Sequence, residues 1–285
     1  MACSPQSTAP SGSTAPSESG ESGDGATTPT DEHTPGKLPA DDPNWNTIQM
    51  SDRGWGIDEL LASLVPTARE GRCFSDQALV PGGEYTIGEA PPQGEAGMDH
   101  LPALPLQTVT LPPFCMDRFE FPNRKGEVPA TSVSWADARA LCGQIGKRLC
   151  REEEWEAACR GTDQRHWAYG AERKTGACHA DVDEFAEVEQ LAGAGTFPEC
   201  HNAVGVFDLN GNVSEWVDAT YSGPLYPDKT SDTHPESAVR HVLRGGAPWI
   251  AFYGQSCLSR HWHVQGLDRG GDDGFRCCAD PAEAR

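Results

Sequence analysis

The sequence predicts a loop-rich α+β domain held by disulfides and preceded by an acidic tether. Three observations carry that reading. Only 37% of the 285 residues are hydrophobic, while 31 are glycine and 23 proline, so the core is small and the loops many. There are eleven cysteines with no Cys-x-x-Cys pair, which points to disulfides in an oxidising compartment and away from thiolate zinc. Helical and strand-like patterns both occur, in short stretches.

With 43 acids against 22 bases and a net charge of −21, the chain is no electrostatic binder of nucleic acid or anionic membrane. No apolar run approaches the roughly 18 residues of a spanning helix.

Residues 1–43 form the tether: 25 of the 43 are Ser, Thr, Pro or Gly, and seven acids stand against Lys37 alone. Such a segment cannot bury enough apolar area to offset its ordering entropy and is expected to be disordered. Cys3 follows Ala2 at its start and resembles the mature start of a bacterial lipoprotein, although the apolar segment of a signal peptide does not precede it. Cys3 is therefore the expected lipid anchor, on the hypothesis that the start lies inside or replaces a signal peptide, and the chain's one route to a membrane.

Residues 44–69 read as a helical extension, with Ile57, Leu60, Leu61, Leu64 and Val65 on one stripe ended by Pro66. The domain proper spans 70–281. Residues 78–88 look like a strand broken by Pro-Gly-Gly, and 106–121 contain the next strand. Ser134 caps a helix that ends at Gly146, with Asp137 as its capping-box acid. A second helix at 151–159 carries Glu152, Glu153 and Glu154 in its first turn, read as solvated acids favoured by the helix dipole. Beyond residue 160 short strands are expected near 204–208, 214–218, 240–245 and 274–279. Adjacent Cys277 and Cys278 should point to opposite strand faces and serve different partners. Trp135, Trp155 and Trp216 read as core residues.

Five stretches together resemble the formylglycine-generating enzyme, or sulfatase-modifying factor, family. They are VPGGEYTIG at 80–88, PPFCMDRFEFPN at 112–123, VSWADARALCGQIGKRLCREEEWEAACRG at 133–161, GVFDLNGNVSEWVDA at 205–219 and LRGGAPW…GFRCCAD at 243–280. The resemblance implies a C-type-lectin-like α+β fold with little regular secondary structure. It implies the disulfides Cys142–Cys277 and Cys159–Cys257. Cys178 and Cys200, flanking a polar loop, are paired as a local staple, and the pairing of Cys73, Cys115, Cys150 and Cys278 stays open among three alternatives.

The resemblance also places one structural calcium at the side chains of Asp208 and Glu215 and the carbonyls of Gly211 and Val213; the residues alone read as an Asn-Gly turn with two solvated acids. A second family calcium site is not expected, because His179 stands where Asn should. The family's copper(I) chemistry needs two cysteines after the Gly-Gly of LRGG, and this stretch holds only Cys257, which the disulfide uses. Ala247 replaces the family's active-site Ser and Ser214 its Trp. Formylglycine formation is therefore not expected, and Trp249 and Ser214 remain as pocket candidates.

His261 and His263 alternate on one strand-like face beside Arg260, and imidazole pairs suit copper or iron. No third ligand has a diagnostic spacing, so copper and iron are not expected cofactors. Hydrogen-bonding or surface histidines are the plainer reading.

The leading expectation is an exported monomer, in periplasm or at the cell surface, that binds an unknown protein or small-molecule ligand. The alternative is a metal-dependent oxidoreductase using His261 and His263, since some bacterial relatives without the cysteine pair are oxidoreductases. A third is a variable lectin-like display protein diversified over 247–273.

Overall fold

The computed structural model describes residues 69–70, 72–90, 100–101, 103–180, 191–221, 239–248, 255–264 and 271–282, with backbone alone at 69, 70, 100 and 262–264. The tether, its Cys3, nearly all of the 44–69 extension, most of the loop between Cys178 and Cys200, and Trp249 lie outside the described residues.

Thirteen strands and two helices follow in chain order among them. The strands are β1 (Arg69–Glu70), β2 (Cys73–Phe74), β3 (Gln77–Val80), β4 (Gly83–Ile87), β5 (His100–Leu101), β6 (Gln107–Leu111) and β7 (Phe114–Asp117). Helix α1 (Trp135–Gln144), β8 (Arg148–Leu149) and α2 (Glu152–Arg160) come next. The last strands are β9 (Ser214–Tyr221), β10 (Arg240–Arg244), β11 (Arg260–Val264), β12 (Asp273–Phe275) and β13 (Cys277–Ala279). They build a five-stranded sheet in the order β12-β9-β10-β11-β5, a four-stranded sheet β3-β7-β13-β8 and the pairs β1-β2 and β4-β6.

Alternation along β9 and β10 explains the layering. Val217 and Val242 pack with Trp155 of α2 in one core cluster. Their neighbours Trp216 and Leu243 pack with Leu141 of α1 in another. The central sheet is thus covered by α2 on one face and α1 on the other.

Local chemistry sets the helix ends. The Ser134 amide donates to Asp137 Oδ2 at 3.2 Å while the Asp137 amide donates to Ser134 Oγ at 3.2 Å, closing the capping box. Gly146 at φ +72° leaves α1, as the left-handed C-terminal position requires.

Three expectations are corrected. No strand forms at 204–208: the Val204 and Val206 amides both donate to Asn202 Oδ1, and Gly205 (φ +78°) and Asp208 (φ +57°) are left-handed, so the chain is a tight loop wound on one side chain. Two acids of α2 are not solvated: Glu152 is 5% exposed because Arg244 and Arg260, distant in sequence, reach it, and Glu154 is 1% exposed because nearby Arg148 holds both its oxygens. The segment 274–279 is also split at Arg276, where the chain leaves the five-stranded sheet (β12) for the four-stranded one (β13).

Five disulfides tie the elements: Cys73–Cys115, Cys142–Cys277, Cys150–Cys278, Cys159–Cys257 and Cys178–Cys200. Cys277 reaches α1 and Cys278 reaches the segment between β8 and α2, from opposite faces of β13.

Candidate functional site

The loop 205–215 is pinned on both sides. Asp208, Gly211 and Asn212 all have positive φ (+57°, +81° and +60°), conformations that Asp, Gly and Asn adopt most readily. A Cβ on Gly211 would lie 2.3 Å from the His179 carbonyl oxygen, so only glycine fits. Asn210 accepts from the Ala168 amide and donates to the Gln255 carbonyl at 2.7 Å. Asn212 accepts from Ala192 and donates to Glu120 Oε2 at 2.9 Å.

This scaffold gathers three buried carboxylates around one guanidinium. Asp208 Oδ2 accepts from the Gly195 amide at 2.6 Å. Glu215 is gripped by Arg276 and also accepts from Trp155 Nε1 at 2.8 Å. Glu120 is fully buried, and its Oε1 has no hydrogen-bond partner. Burial, then the charge of Asp208, pushes the Glu120 carboxyl well above its ordinary range. Burial raises Asp208 to about 6 against the Gly195 hydrogen bond and Arg276, with Glu215 adding to the rise.

The donor chemistry fits calcium. It offers hard carboxylate and carbonyl oxygens, excess negative charge and one orphaned buried oxygen. Among the described residues no three His, Cys, Asp or Glu side chains converge as a metal cluster, so calcium here would need the Gly211 and Val213 carbonyls and water beside Asp208 and Glu215. At the second family position, the His179 ring stacks on Phe197 with centroids 5.4 Å apart.

The other candidates are dispersed. Ser214 is 2% exposed at the start of β9. Arg260 is held by Glu152, Nε to Oε1 at 2.6 Å and Nη2 to Oε2 at 3.1 Å. Arg244, stacked 5.2 Å over Trp155, shares Glu152 and reaches Glu156 at 2.6 Å. Arg260 thus fastens β11 to α2. His261 is 3% exposed and not a surface residue. A cleft of about 260 Å³ between the β3–β4 turn and the end of α2 is lined by Tyr85, Arg165 and Asn202 and by no catalytic, metal or pocket candidate.

Sequence reasoning missed Glu120, which lies 88 residues before Asp208. No periodicity links the two; the FEFPN block holding Glu120 was the available signal.

Fold and site define a disulfide-stapled domain of the formylglycine-generating-enzyme type. The family described as "Sulfatase-modifying factor enzyme 1-like domain" matches residues 121–281, and the chain belongs to that family. It is 36% identical to a formylglycine-generating enzyme of Streptomyces coelicolor, over 42% of this chain and 41% of that protein. It is 34% identical to an inactive C-alpha-formylglycine-generating enzyme 2 of Mus musculus, over 45% of this chain and 40% of that protein. The chain thus spans about two fifths of those two relatives. Among solved structures, PvdO from Pseudomonas aeruginosa shares the fold at 20% identity with a TM-score of 0.55, over 76% of this chain and 99% of that one.

Proposed function

We propose that this is an exported sulfatase-modifying-factor-family module that binds a partner or small ligand and does not generate formylglycine. One observation supports the reading above the others: ten of the eleven cysteines are in disulfides and the remaining one, Cys3, is in the tether. The domain then has no thiol to hold copper(I), and Cys257, the single cysteine near the required place, is buried in its bond to Cys159. Five disulfides also suit an oxidising compartment. Calcium at Asp208, Gly211, Val213 and Glu215 holds the loop in this reading, and Cys3 carries a lipid.

The test is incubation of the purified protein with a cysteine-containing sulfatase peptide, copper(I) and oxygen, beside the Streptomyces coelicolor enzyme. The peptide mass stays unchanged with this protein and falls with the control. Conversion of the peptide cysteine to an aldehyde would overturn the proposal. For the anchor, labelled palmitate enters the protein expressed from its native upstream DNA and fails to enter Cys3→Ser; equal labelling of both, or of neither, removes the anchor.

A further inference from the structure

Along β4 and the Gly88 that follows it, backbone groups alternate between the ladder with β6 and the opposite edge. What meets them identifies the outward positions. The Gly88 amide donates to Glu156 Oε1 at 2.6 Å, and Arg160 Nη1 donates to the Gly88 carbonyl at 2.8 Å and the Thr86 carbonyl at 3.4 Å. Both partners belong to α2. Glu84 lies two residues before Thr86, so its N–H and C=O face the same way, while Tyr85 and Ile87 face Val109 and Gln107 of β6. Among the described residues, no hydrogen bond outside the ladder meets Glu84 or the Thr86 amide. The edge of β4 is thus capped by α2 at one end and open at the other.

The cleft of about 260 Å³ lies beside the open end, lined by residues 82–85 and walled by the apolar Ala157, Ala158 and Val204. It is smaller than the roughly 300–1,000 Å³ of small-molecule pockets, which suits a stretch of chain laid along the strand. Its charge is one-sided. Glu84 is exposed and has no cation beside it among the described residues, whereas Asp163, also in the lining, is neutralised by Arg165 at 2.7 Å. The C-terminal end of α2 lines the cleft too and adds its partial negative charge.

We propose that the open edge of β4 takes an extended, basic segment of a partner protein as an added strand. The main chain of that segment bonds the Glu84 N–H and C=O and the Thr86 N–H, and a lysine or arginine side chain lies in the cleft against Glu84. A second copy of this chain fits poorly: pairing β4 with β4 about a twofold axis brings two Glu84 carboxylates together, on chains that each carry −21. The proposal rests on the partner-binding reading above and gives it a place and a chemistry.

The probes are capped hexapeptide pools with lysine, arginine, alanine or glutamate fixed at the third position and the others randomised. They are added to the full chain and followed by fluorescence anisotropy and amide hydrogen exchange. The lysine and arginine pools bind at least tenfold tighter than the glutamate pool, and the same pools with methylated backbone nitrogens do not bind. In the free chain the Glu84 and Thr86 amides exchange fast and those of Tyr85 and Ile87 slowly; bound peptide slows the first two. Glu84→Lys abolishes the preference for a cation. Ala203→Trp, which fills the cleft from an exposed position on another loop, lowers affinity at least tenfold. Binding of no pool, equal binding of the lysine and glutamate pools, or a Glu84 amide as protected as that of Tyr85 in the free chain would each overturn the proposal. Binding undiminished in both variants would overturn this site and leave the module reading standing, which fails instead on aldehyde formation from the sulfatase peptide.

Discussion

Arg276 holds both oxygens of Glu215, Nη2 to Oε1 at 2.5 Å and Nε to Oε2 at 2.7 Å, with both side chains at 1% exposure or less. The arginine sits where the chain passes from β12 to β13, and the glutamate is in β9, so this pair fastens the exchange point between the two sheets. Burial disfavours the Arg276 cation, but the charges of Glu215, Glu120 and Asp208 outweigh it and drive its pKa upward.

Removing the cation should therefore cost more than removing its nearest anion. Arg276→Met leaves three buried carboxylates without compensation and costs about 3–5 kcal/mol, the penalty for breaking a buried pair. Glu215→Gln leaves Arg276 beside Asp208 and Glu120 and costs less. Urea unfolding of both variants at neutral pH measures the order, and a milder Arg276→Met contradicts it.

A second buried pair yields a pH dependence. Lys147 Nζ bonds Asp117 Oδ1 at 2.7 Å and Asp76 Oδ2 at 2.9 Å. Burial raises the Asp117 carboxyl, against the lowering by Lys147. A carboxyl whose folded pKa lies above its unfolded value binds its proton more tightly when folded, so its stabilising contribution is lost as pH rises through the folded pKa. Lys147→Met removes the counterweight and costs about 3–5 kcal/mol at neutral pH. That deficit narrows on acidification, as Asp117 takes up a proton in the folded variant. Parallel thermal unfolding at neutral and mildly acidic pH checks the trend; a deficit that widens in acid refutes it.

The disulfides should rank by the loops they close. Cys142 and Cys277 are 135 residues apart, and Cys178 and Cys200 are 22 apart. The chain-entropy account gives about 5 kcal/mol for the first and about 3 kcal/mol for the second. Double alanine variants compared by urea unfolding should keep that order.

What the sequence disclosed was local. The Ser134–Asp137 box needs three residues, and the opposite faces of Cys277 and Cys278 need two, so both were readable without a structure. What it hid depends on partners brought from elsewhere. Glu152 looked solvated because Arg244 and Arg260 lie 92 and 108 residues away, and the 204–208 segment looked strand-like because nothing marks Asn202 as the acceptor for two amides. The pairing of Cys73 with Cys115 and Cys150 with Cys278 has the same origin, since β3, β7, β13 and β8 must first assemble into one sheet. Glu120 became visible only through such contacts: the turn residues of the 208–215 loop stand together in the sequence, whereas the carboxylate beside them comes from 88 residues upstream of Asp208.

Calcium should act on the loop through affinity and not through the loop's own geometry, and two variants separate these. A ligand that binds only the folded state adds about 2.7 kcal/mol at one hundred times its dissociation constant. Calcium in that excess therefore raises the unfolding midpoint of the wild type, and a chelator reverses it. Asp208→Asn folds, because the amide oxygen still accepts from the Gly195 amide, but loses the calcium response. Gly211→Ala is destabilised with or without calcium, because φ +81° is unfavourable for alanine and its Cβ would meet the His179 oxygen at 2.3 Å. A calcium response retained in Asp208→Asn would exclude this loop as the site.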